Sequence, residues 1–386
     1  MSLGAMAPPA PVAVAGALRV RVPLRRPLVT ARGTWYAAES WLLRVVDAGG
    51  RSGLGEATLG PFPDPTDEAE LADLVRSLVA RRIAIRALGG ETDGDTGEIG
   101  AEPSVALAAV RAALAGARLD MGITPVGPRP RAERVPGNAM IGAESLHASV
   151  DAARTAVADG FLALKLKGGG EASSGELQAR LQAVREAVGP RVTLRLDVNG
   201  AWDPATARER LLALDRIGLQ YVEQPLSAAG GVAAVAPAMA RLRRSGTGVP
   251  LAADESVTSV EAARALLDAE AVDAMIVKPA RVGGPGAALR IAELARAAGV
   301  RVVISTLLET GVGLTTCAVT AAMLRPDPDA EAAHGIATGS LLSHPLVRHP
   351  AHIRAGMLDV PPEGTSIDLD RVAAEPLATE RLGDWS

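Results

Sequence analysis

The order of hydrophobic and polar positions changes character twice along this chain of 386 residues. Residues 17–60 contain extended apolar runs, with the turn sequence DAGG between two of them, and are typical of a small antiparallel sheet. Residues 67–119 repeat apolar positions every three to four residues, which indicates helices. The sequence therefore predicts an α+β domain over residues 17–130, ending within the proline-rich segment TPVGPRPRAERVPG.

From residue 131 onward, short apolar runs alternate with helical stretches rich in Ala, Arg and Glu. Eight such runs are typical of a parallel β/α barrel, and no G-x-G-x-x-G follows the first, as a doubly wound sheet would favour. We predict an α/β fold: a (β/α)7β modified TIM barrel over residues 131–340 with an N-terminal α+β capping domain. Residues 341–386 are expected to return to the capping domain over the barrel mouth, and residues 1–16 to be a disordered or expression-derived N-terminus.

The composition of the chain favours a small-molecule substrate over nucleic acid or a membrane as its binding partner. The net charge of -4 and the pI near 5.9 exclude a basic surface for nucleic acid, and no uncharged apolar run reaches the roughly 18 residues of a membrane span. A single cysteine, Cys317, excludes an internal disulfide and fits a reducing compartment. We expect a cytoplasmic protein that acts on a small molecule and could form a homo-oligomer. The histidines at or beyond the last strand, among them His334, are expected to be solvated.

The basic residues are distributed unevenly between two types. Only Lys165, Lys167 and Lys278 are lysines among 40 basic residues, which suggests a role that the permanently protonated guanidinium cannot fill. In the run LALKLK, period-two alternation places Lys165 and Lys167 on one strand face and the leucines on the other. Neighbouring ammonium groups and a bound cation are expected to depress the lysine pKa values and to make a base available near neutral pH.

Charged residues stand at the ends of successive predicted strands. Lys167, Asp197, Glu223, Asp254, Lys278 and Glu309 follow one another at intervals of 24 to 31 residues, about one β/α unit each, so they should share one rim. Three carboxylates cannot converge there without a compensating cation. Oxygen ligands favour Mg²⁺, for which Mn²⁺ can substitute, with Asn199 and Glu255 expected around the ligands. A lysine base beside such a metal suits removal of a proton α to a substrate carboxylate.

The motifs KLK, DVNGAW, VEQPL, ADES, VKPARVGG and STLLETGVG resemble the muconate-lactonizing subgroup of the enolase superfamily, over nearly the whole chain. The resemblance implies that Lys167 is the base on one face and Lys278 the lysine on the opposite face. It implies that Lys165 meets the substrate carboxylate, and it makes Asp197, Glu223 and Asp254 the metal ligands. Ser305, Glu309 and Gly283 are expected near the substrate.

Within that superfamily several reactions remain open. Strand seven has no histidine for a mandelate-racemase-like His/Asp pair, and GIATGSLL replaces the Asp-x-Asp of the dipeptide epimerases. The segments ISTLLETGVGLTTCAV and GIATGSLL are most similar to the o-succinylbenzoate synthases. The resemblance therefore implies a carbon-oxygen lyase of menaquinone biosynthesis, with an N-succinylamino acid racemase, a muconate cycloisomerase or a non-catalytic metal-binding barrel as alternatives.

Overall fold

The computed structural model describes residues 12–30, 33–81, 103–123, 132–142, 145–324, 333–362 and 366–385. Its capping domain contains an antiparallel sheet with the order β14-β1-β2-β3. The strands are β1 (Val12–Thr30), β2 (Gly33–Asp47), β3 (Ser52–Ala57) and β14 (Ala378–Gly383). Because Val12 pairs with Asp47, residues 12–16 belong to the sheet, and the predicted disordered segment extends too far. Residues 1–11 lie outside the described residues.

Two helices cover one face of this sheet. Helix α1 (Pro65–Val79) begins after Asp64, whose side chain accepts from the Thr66 amide, and α2 (Val105–Asp120) begins after a serine cap. The alanine-rich α2 lies so close to β3 that a Cβ at Gly55 would collide with the Ala113 carbonyl. The hydrophobic core of the capping domain forms between these helices and the sheet.

Seven parallel strands form the barrel sheet, and they neighbour one another in chain order. They are β5 (Ala139–Ile141), β6 (Ala163–Lys167), β7 (Thr193–Asp197), β8 (Leu219–Glu223), β9 (Leu251–Ala253), β10 (Ala274–Val277) and β11 (Arg301–Ile304). The helices beside them are α3 (Leu146–Ala158), α4 (Ser174–Val188), α5 (Pro204–Leu214), α6 (Gly231–Arg243), α7 (Val260–Asp268), α8 (Pro279–Val282), α9 (Pro285–Ala297) and α10 (Gly311–Ala322). Together with the capping domain, this confirms the predicted fold class. None of these described helices is long and apolar enough to cross a membrane.

The eighth strand is reduced to two bridging residues. Gly335 bridges Ser305 beyond β11, and His334 bridges Gly137 before β5. His334 is buried, and its Nδ1 accepts from the Ile304 amide at 3.1 Å. The expectation that His334 is solvated is therefore wrong, because the residue lies on the strand that closes the barrel.

A buried arginine supports this closure from inside the barrel. Arg195 on β7 donates to the Asn138 side chain at 3.0 Å and to the Ala333 carbonyl at 2.8 Å. Its guanidinium also lies over the Tyr221 ring, 5.1 Å from the centroid. The first and last strands are thus tied to the middle of the sheet by one side chain.

The C-terminal segment contacts both ends of the barrel. Strands β12 (Ile353–Arg354) and β13 (Met357–Asp359) form a small sheet with β4 (Arg134–Pro136), at the amino-terminal end of the barrel strands. The chain then reaches the capping domain through α11 (Arg371–Ala374), and β14 pairs antiparallel with β1. The segment also contacts the capping domain at its start, where Leu342 bridges Leu24 and the Ser343 amide donates to the Pro23 carbonyl, so it meets that domain both before and after it passes along the barrel.

Two buried carboxylates, Glu56 and Glu309, lie where the capping domain meets the barrel. Glu56 is on β3, and Glu309 lies between β11 and α10. One Glu309 oxygen accepts from the Leu307 amide at 2.6 Å. Burial, reinforced by the nearby Glu56 carboxylate, raises the pKa of Glu309 to about 7.

His334 should make the protein sensitive to acid. Burial, together with the positive charge of Arg195, lowers the pKa of His334 to about 3 from an ordinary 6.5. The unfolded chain therefore takes up this proton first, and the free energy of unfolding should fall as the pH drops below 6.5. In His334→Asn, which can still accept from Ile304, about 3 kcal/mol of that loss between pH 6.5 and pH 4 should disappear. Urea unfolding at both pH values checks this, and equal pH dependence in the two proteins would contradict it.

Glu309 should act with the opposite sign. Its pKa of about 7 lies above the ordinary 4.5, so the folded state keeps a proton that the unfolded state has lost. Its contribution to stability is complete below pH 4.5 and is lost as the pH rises through about 7. Relative to wild type, Glu309→Gln should therefore gain about 3 kcal/mol of unfolding free energy between pH 4.5 and pH 7.5. The same urea titration measures the difference, and a constant difference across this range would refute the assignment.

Candidate active site

The first half of the site forms at the carboxyl ends of β6, β7 and β8. Lys167 Nζ lies 2.7 Å from Asp197 Oδ2 and donates to Asn199 Oδ1 at 3.0 Å. Lys165 Nζ lies 2.8 Å from the same Asp197 oxygen and 2.6 Å from Glu223 Oε1. The two lysines of β6 therefore reach the carboxylates of the two following strands.

The second half comes from β9 and β10. Lys278 Nζ lies 2.6 Å from Asp254 Oδ2, and Arg281 Nη1 lies 2.7 Å from the other oxygen, Oδ1. Asp254 thus pairs with cations different from those of Asp197. We call Asp197, Glu223 and Asp254 the carboxylate row; the lysines of β6 and Lys278 contact it from different strands.

The alternation along β6 explains how two lysines enter a buried strand. Leu164 and Leu166 are fully buried in the core between the strands and the helices, whereas the lysine side chains between and after them extend to the site. The glycine loop that follows folds around Glu171, which accepts from the Gly169 amide and pairs with Arg180. Arg180 also donates to the carbonyl of Lys167 at 2.7 Å, which fixes the backbone of that lysine.

The electrostatics of the row differ from residue to residue. Burial alone would raise the pKa of Asp197, but Lys165 and Lys167 outweigh burial and hold that pKa well below its ordinary value. Lys278 and Arg281 do the same for Asp254.

Glu223 lies between these pairs, and the balance there is reversed. Burial and the neighbouring charges of Asp197 and Asp254 outweigh Lys165 and raise the pKa of Glu223 to about 8. The centre of the row is therefore short of positive charge.

The predicted depression of the lysine pKa values applies to a site with a bound cation, and without one the pKa of Lys165 shifts the other way. Burial acts to lower its pKa, but the surrounding Asp197, Glu223 and Asp254 raise it well above the ordinary value. The prediction assumed that a cation already neutralises the carboxylates, whereas in the protein alone the lysine itself neutralises them.

The donor set of the row suits a hard divalent cation. Glu223 Oε2 and Glu255 Oε2 are buried oxygens without a hydrogen-bond partner among the described residues. Each is therefore available to coordinate a cation. The described part of the chain contains no three acidic, histidine or cysteine side chains already close enough to hold a metal. The reason is visible in the geometry: Lys165 Nζ occupies the space between Asp197 and Glu223.

The other sequence-predicted residues divide into two groups. Asn199 donates to Glu255 at 3.1 Å and to the Asp197 carboxylate through its backbone amide, so these two residues belong to the cluster. Ser305 also lies beside the site, because its amide donates to the Val277 carbonyl, one residue before Lys278.

Glu309 and Gly283 make other contacts among the described residues. The Glu309 carboxylate turns back to the Leu307 amide near the domain junction. Gly283 ends α8 with a φ of 94°, and the nearest side chain to a Cβ there would be Arg111 of the capping domain. A turn that packs on the capping domain accounts for this glycine.

Sequence reasoning missed two residues that hold Asp254. Arg281 stands three residues after Lys278 in KPAR, and a helical turn brings it back to the carboxylate. Gln224 Oε1 accepts from the amides of Asp254 and Ser256, which fixes the loop after β9. The polar residue between strand end and proline in VEQPL was the available signal.

Known proteins are similar to this chain in sequence and in fold. A family model described as Enolase C-terminal domain-like matches residues 148–373. The o-succinylbenzoate synthase of Thermobifida fusca (strain YX) is 39% identical over 235 residues, which are 60% of this chain and 68% of that protein. The L-Ala-D/L-Glu epimerase of Bacillus subtilis (strain 168) is 30% identical over 322 residues, 80% of this chain and 84% of that protein.

A solved structure extends the likeness in fold to almost the whole chain. The muconate lactonizing enzyme from Pseudomonas fluorescens, complexed with muconolactone, superimposes with a TM-score of 0.78 over 96% of this chain and 98% of that one, at 24% identity. The family model covers more than half of the chain, and the relatives are enzymes. This chain is therefore an enzyme of the enolase superfamily.

Proposed function

We propose that this enzyme removes the proton α to a substrate carboxylate in a Mg²⁺-dependent reaction, and that it is an o-succinylbenzoate synthase. The substrate would be a hydroxycyclohexadiene carboxylate that carries a succinyl chain. The observation that carries the proposal is the pair of lysines on different strands, Lys167 bonded to Asp197 and Lys278 bonded to Asp254. The similarity to o-succinylbenzoate synthases supports the choice of reaction.

The carboxylate row would hold the cation. Asp197, Glu223 and Asp254 supply oxygens of the kind that Mg²⁺ and Mn²⁺ prefer, and the unpartnered Glu223 oxygen marks where positive charge is lacking. When bound, Mg²⁺ neutralises these carboxylates and stabilises the negative charge that develops on the substrate carboxylate.

The three lysines then have different roles. Lys167 takes the α-proton and the substrate becomes an enediolate. The same lysine returns the proton to the β-hydroxyl, which leaves as water and gives the aromatic product. Lys278 remains protonated, held by Asp254, and stabilises the enediolate electrostatically. Lys165 would meet the substrate carboxylate.

The site is suited to this chemistry because it is largely closed to water. The side chains of the three lysines are only 12–14% exposed, so the charges inside interact more strongly than they would in solvent. The proposed reaction belongs to menaquinone biosynthesis, and a cytoplasmic location fits the single buried cysteine.

The metal assignment predicts the behaviour of isosteric variants. Glu223→Gln and Asp254→Asn each remove one negative charge from the row, so each should weaken Mg²⁺ binding at least about 100-fold by titration calorimetry. Asp120→Asn is the matched control, since Asp120 is a largely buried acid of α2 that accepts from Leu54 and Ile367 instead. Wild-type affinity in either row variant, or no Mg²⁺ binding by the wild type, would contradict the assignment.

The two lysines should respond differently to substitution. Lys167→Ala removes the acid-base group, so dehydration should fall by about 10³-fold or more. Lys278→Arg keeps the positive charge but cannot serve as a base, so it should keep measurable dehydration. Steady-state assays of the aromatic product, with circular dichroism as a check on folding, compare the variants.

Two results would favour another reaction. Equal loss of activity in Lys278→Arg and Lys167→Ala would indicate two bases. A wild type that racemises N-succinylamino acids but does not dehydrate would likewise replace the synthase by a racemase.

A further inference from the structure

A carboxylate of the capping domain is bonded directly to the start of a barrel helix. Glu56 on β3 is 5% exposed. Its Oε1 accepts from the Ser40 hydroxyl at 2.6 Å and from the Thr310 amide at 2.9 Å. Its Oε2 accepts from the Thr310 hydroxyl at 2.7 Å and from the Gly313 amide at 2.9 Å. Three of the four donors therefore belong to the barrel.

The surrounding residues are shaped for this contact. Thr310 is the cap of α10, and the first amides of a helix attract negative charge. A Cβ at Gly313 would lie 3.1 Å from Glu56 Oε2 and 2.6 Å from the Glu309 side chain, so only glycine leaves room there. No ion pair to Glu56 occurs within the described ranges, and neutral donors hold the charge.

The segment fixed in this way is the mouth loop, residues 305–310, which joins β11 to α10. At its first residue, the Ser305 amide donates to the Val277 carbonyl, next to Lys278. In its middle, Leu307 would lie 3.1 Å from a Cβ at Gly60 of the capping domain. At its last residue stands Thr310, which Glu56 holds. The capping domain thus holds the mouth loop at its far end while the barrel holds the end beside Lys278.

We infer that Glu56 is a positioning residue: it fixes the mouth loop against the barrel and so sets the active-site wall beside Lys278. This inference rests on the proposed function for its kinetic readout only. Glu56 touches no reacting atom in this account. Its effect on the reaction passes through Thr310 and the loop.

Glu56→Gln tests the inference because no orientation of the amide satisfies the site. Each Glu56 oxygen faces a backbone amide, Thr310 on one side and Gly313 on the other, so the new NH₂ must oppose one of these donors. Asp120→Asn is a matched control with the same conflict, because each Asp120 oxygen also accepts from a backbone amide, those of Leu54 and Ile367. The control disturbs the capping domain without touching the mouth loop.

The expected kinetic result is a loss in kcat. Displacement of active-site groups by about 1 Å can lower a rate about 100-fold, so Glu56→Gln should lower kcat about 10- to 100-fold with KM changed less than about threefold. Asp120→Asn should keep kcat within about twofold of wild type even where its Tm falls equally. If the two variants have equal kcat values, Glu56 is only a structural residue and the inference is overturned.

Hydrogen exchange provides a readout that needs no substrate. Peptides that cover residues 305–316 should exchange faster in Glu56→Gln than in wild type or Asp120→Asn, since the Thr310 and Gly313 amides lose an acceptor. Unchanged exchange there overturns the inference, whichever reaction the enzyme catalyses. Absence of dehydration in wild type would instead overturn the proposed function alone. Should Glu56→Gln not fold, Thr310→Val, which lacks the hydroxyl that donates to Glu56, should show the same changes to a smaller degree. Thr310→Ser keeps the hydroxyl and should behave like the wild type.

Discussion

Three buried carboxylates must share one end of the barrel, and positive charge must compensate them at short range. In this protein the compensation comes from the two lysines of β6, from Lys278 directly after β10 and from Arg281, which reach Asp197, Glu223 and Asp254 at 2.6–2.8 Å. Arginine can neutralise such a charge, but it cannot also exchange a proton near neutral pH. The proposed reaction requires both properties, and the three lysines of the chain all stand at this site.

The barrel supplies the spacing that this charge balance needs. Each parallel strand ends at the same rim, and each β/α unit returns the chain to that rim after one helix. Fixed residues behind the row then orient it: Gln224 holds the backbone at Asp254, and Arg180 holds the carbonyl of Lys167. The capping domain closes the same end of the barrel, where Glu56 reaches the start of α10.

Much of this arrangement could be predicted from the sequence, because its signals are local. Alternation in LALKLK determines which side chains face the site, and the interval between strand ends brings Asp197 to Glu223. The contacts of Glu309 depend on geometry that the spacing does not give. Glu309 stands in line with the strand-end residues, yet a positive φ of 66° at Leu308 precedes it and its carboxylate returns to the Leu307 amide. The contacts of Glu56 with the barrel could not be predicted, since Thr310 and Gly313 lie more than 250 residues away in the chain.

The proposed reaction of this site is the dehydration of a carboxylate substrate with the help of a divalent cation. The most direct measurement is the appearance of the aromatic product from the succinyl-hydroxycyclohexadiene carboxylate, followed by absorbance with Mg²⁺, with Mn²⁺ and with a chelator. We expect rapid product formation with either cation and none above the uncatalysed rate with the chelator. Equal rates with and without the cation, or no product under any of these conditions, would contradict it.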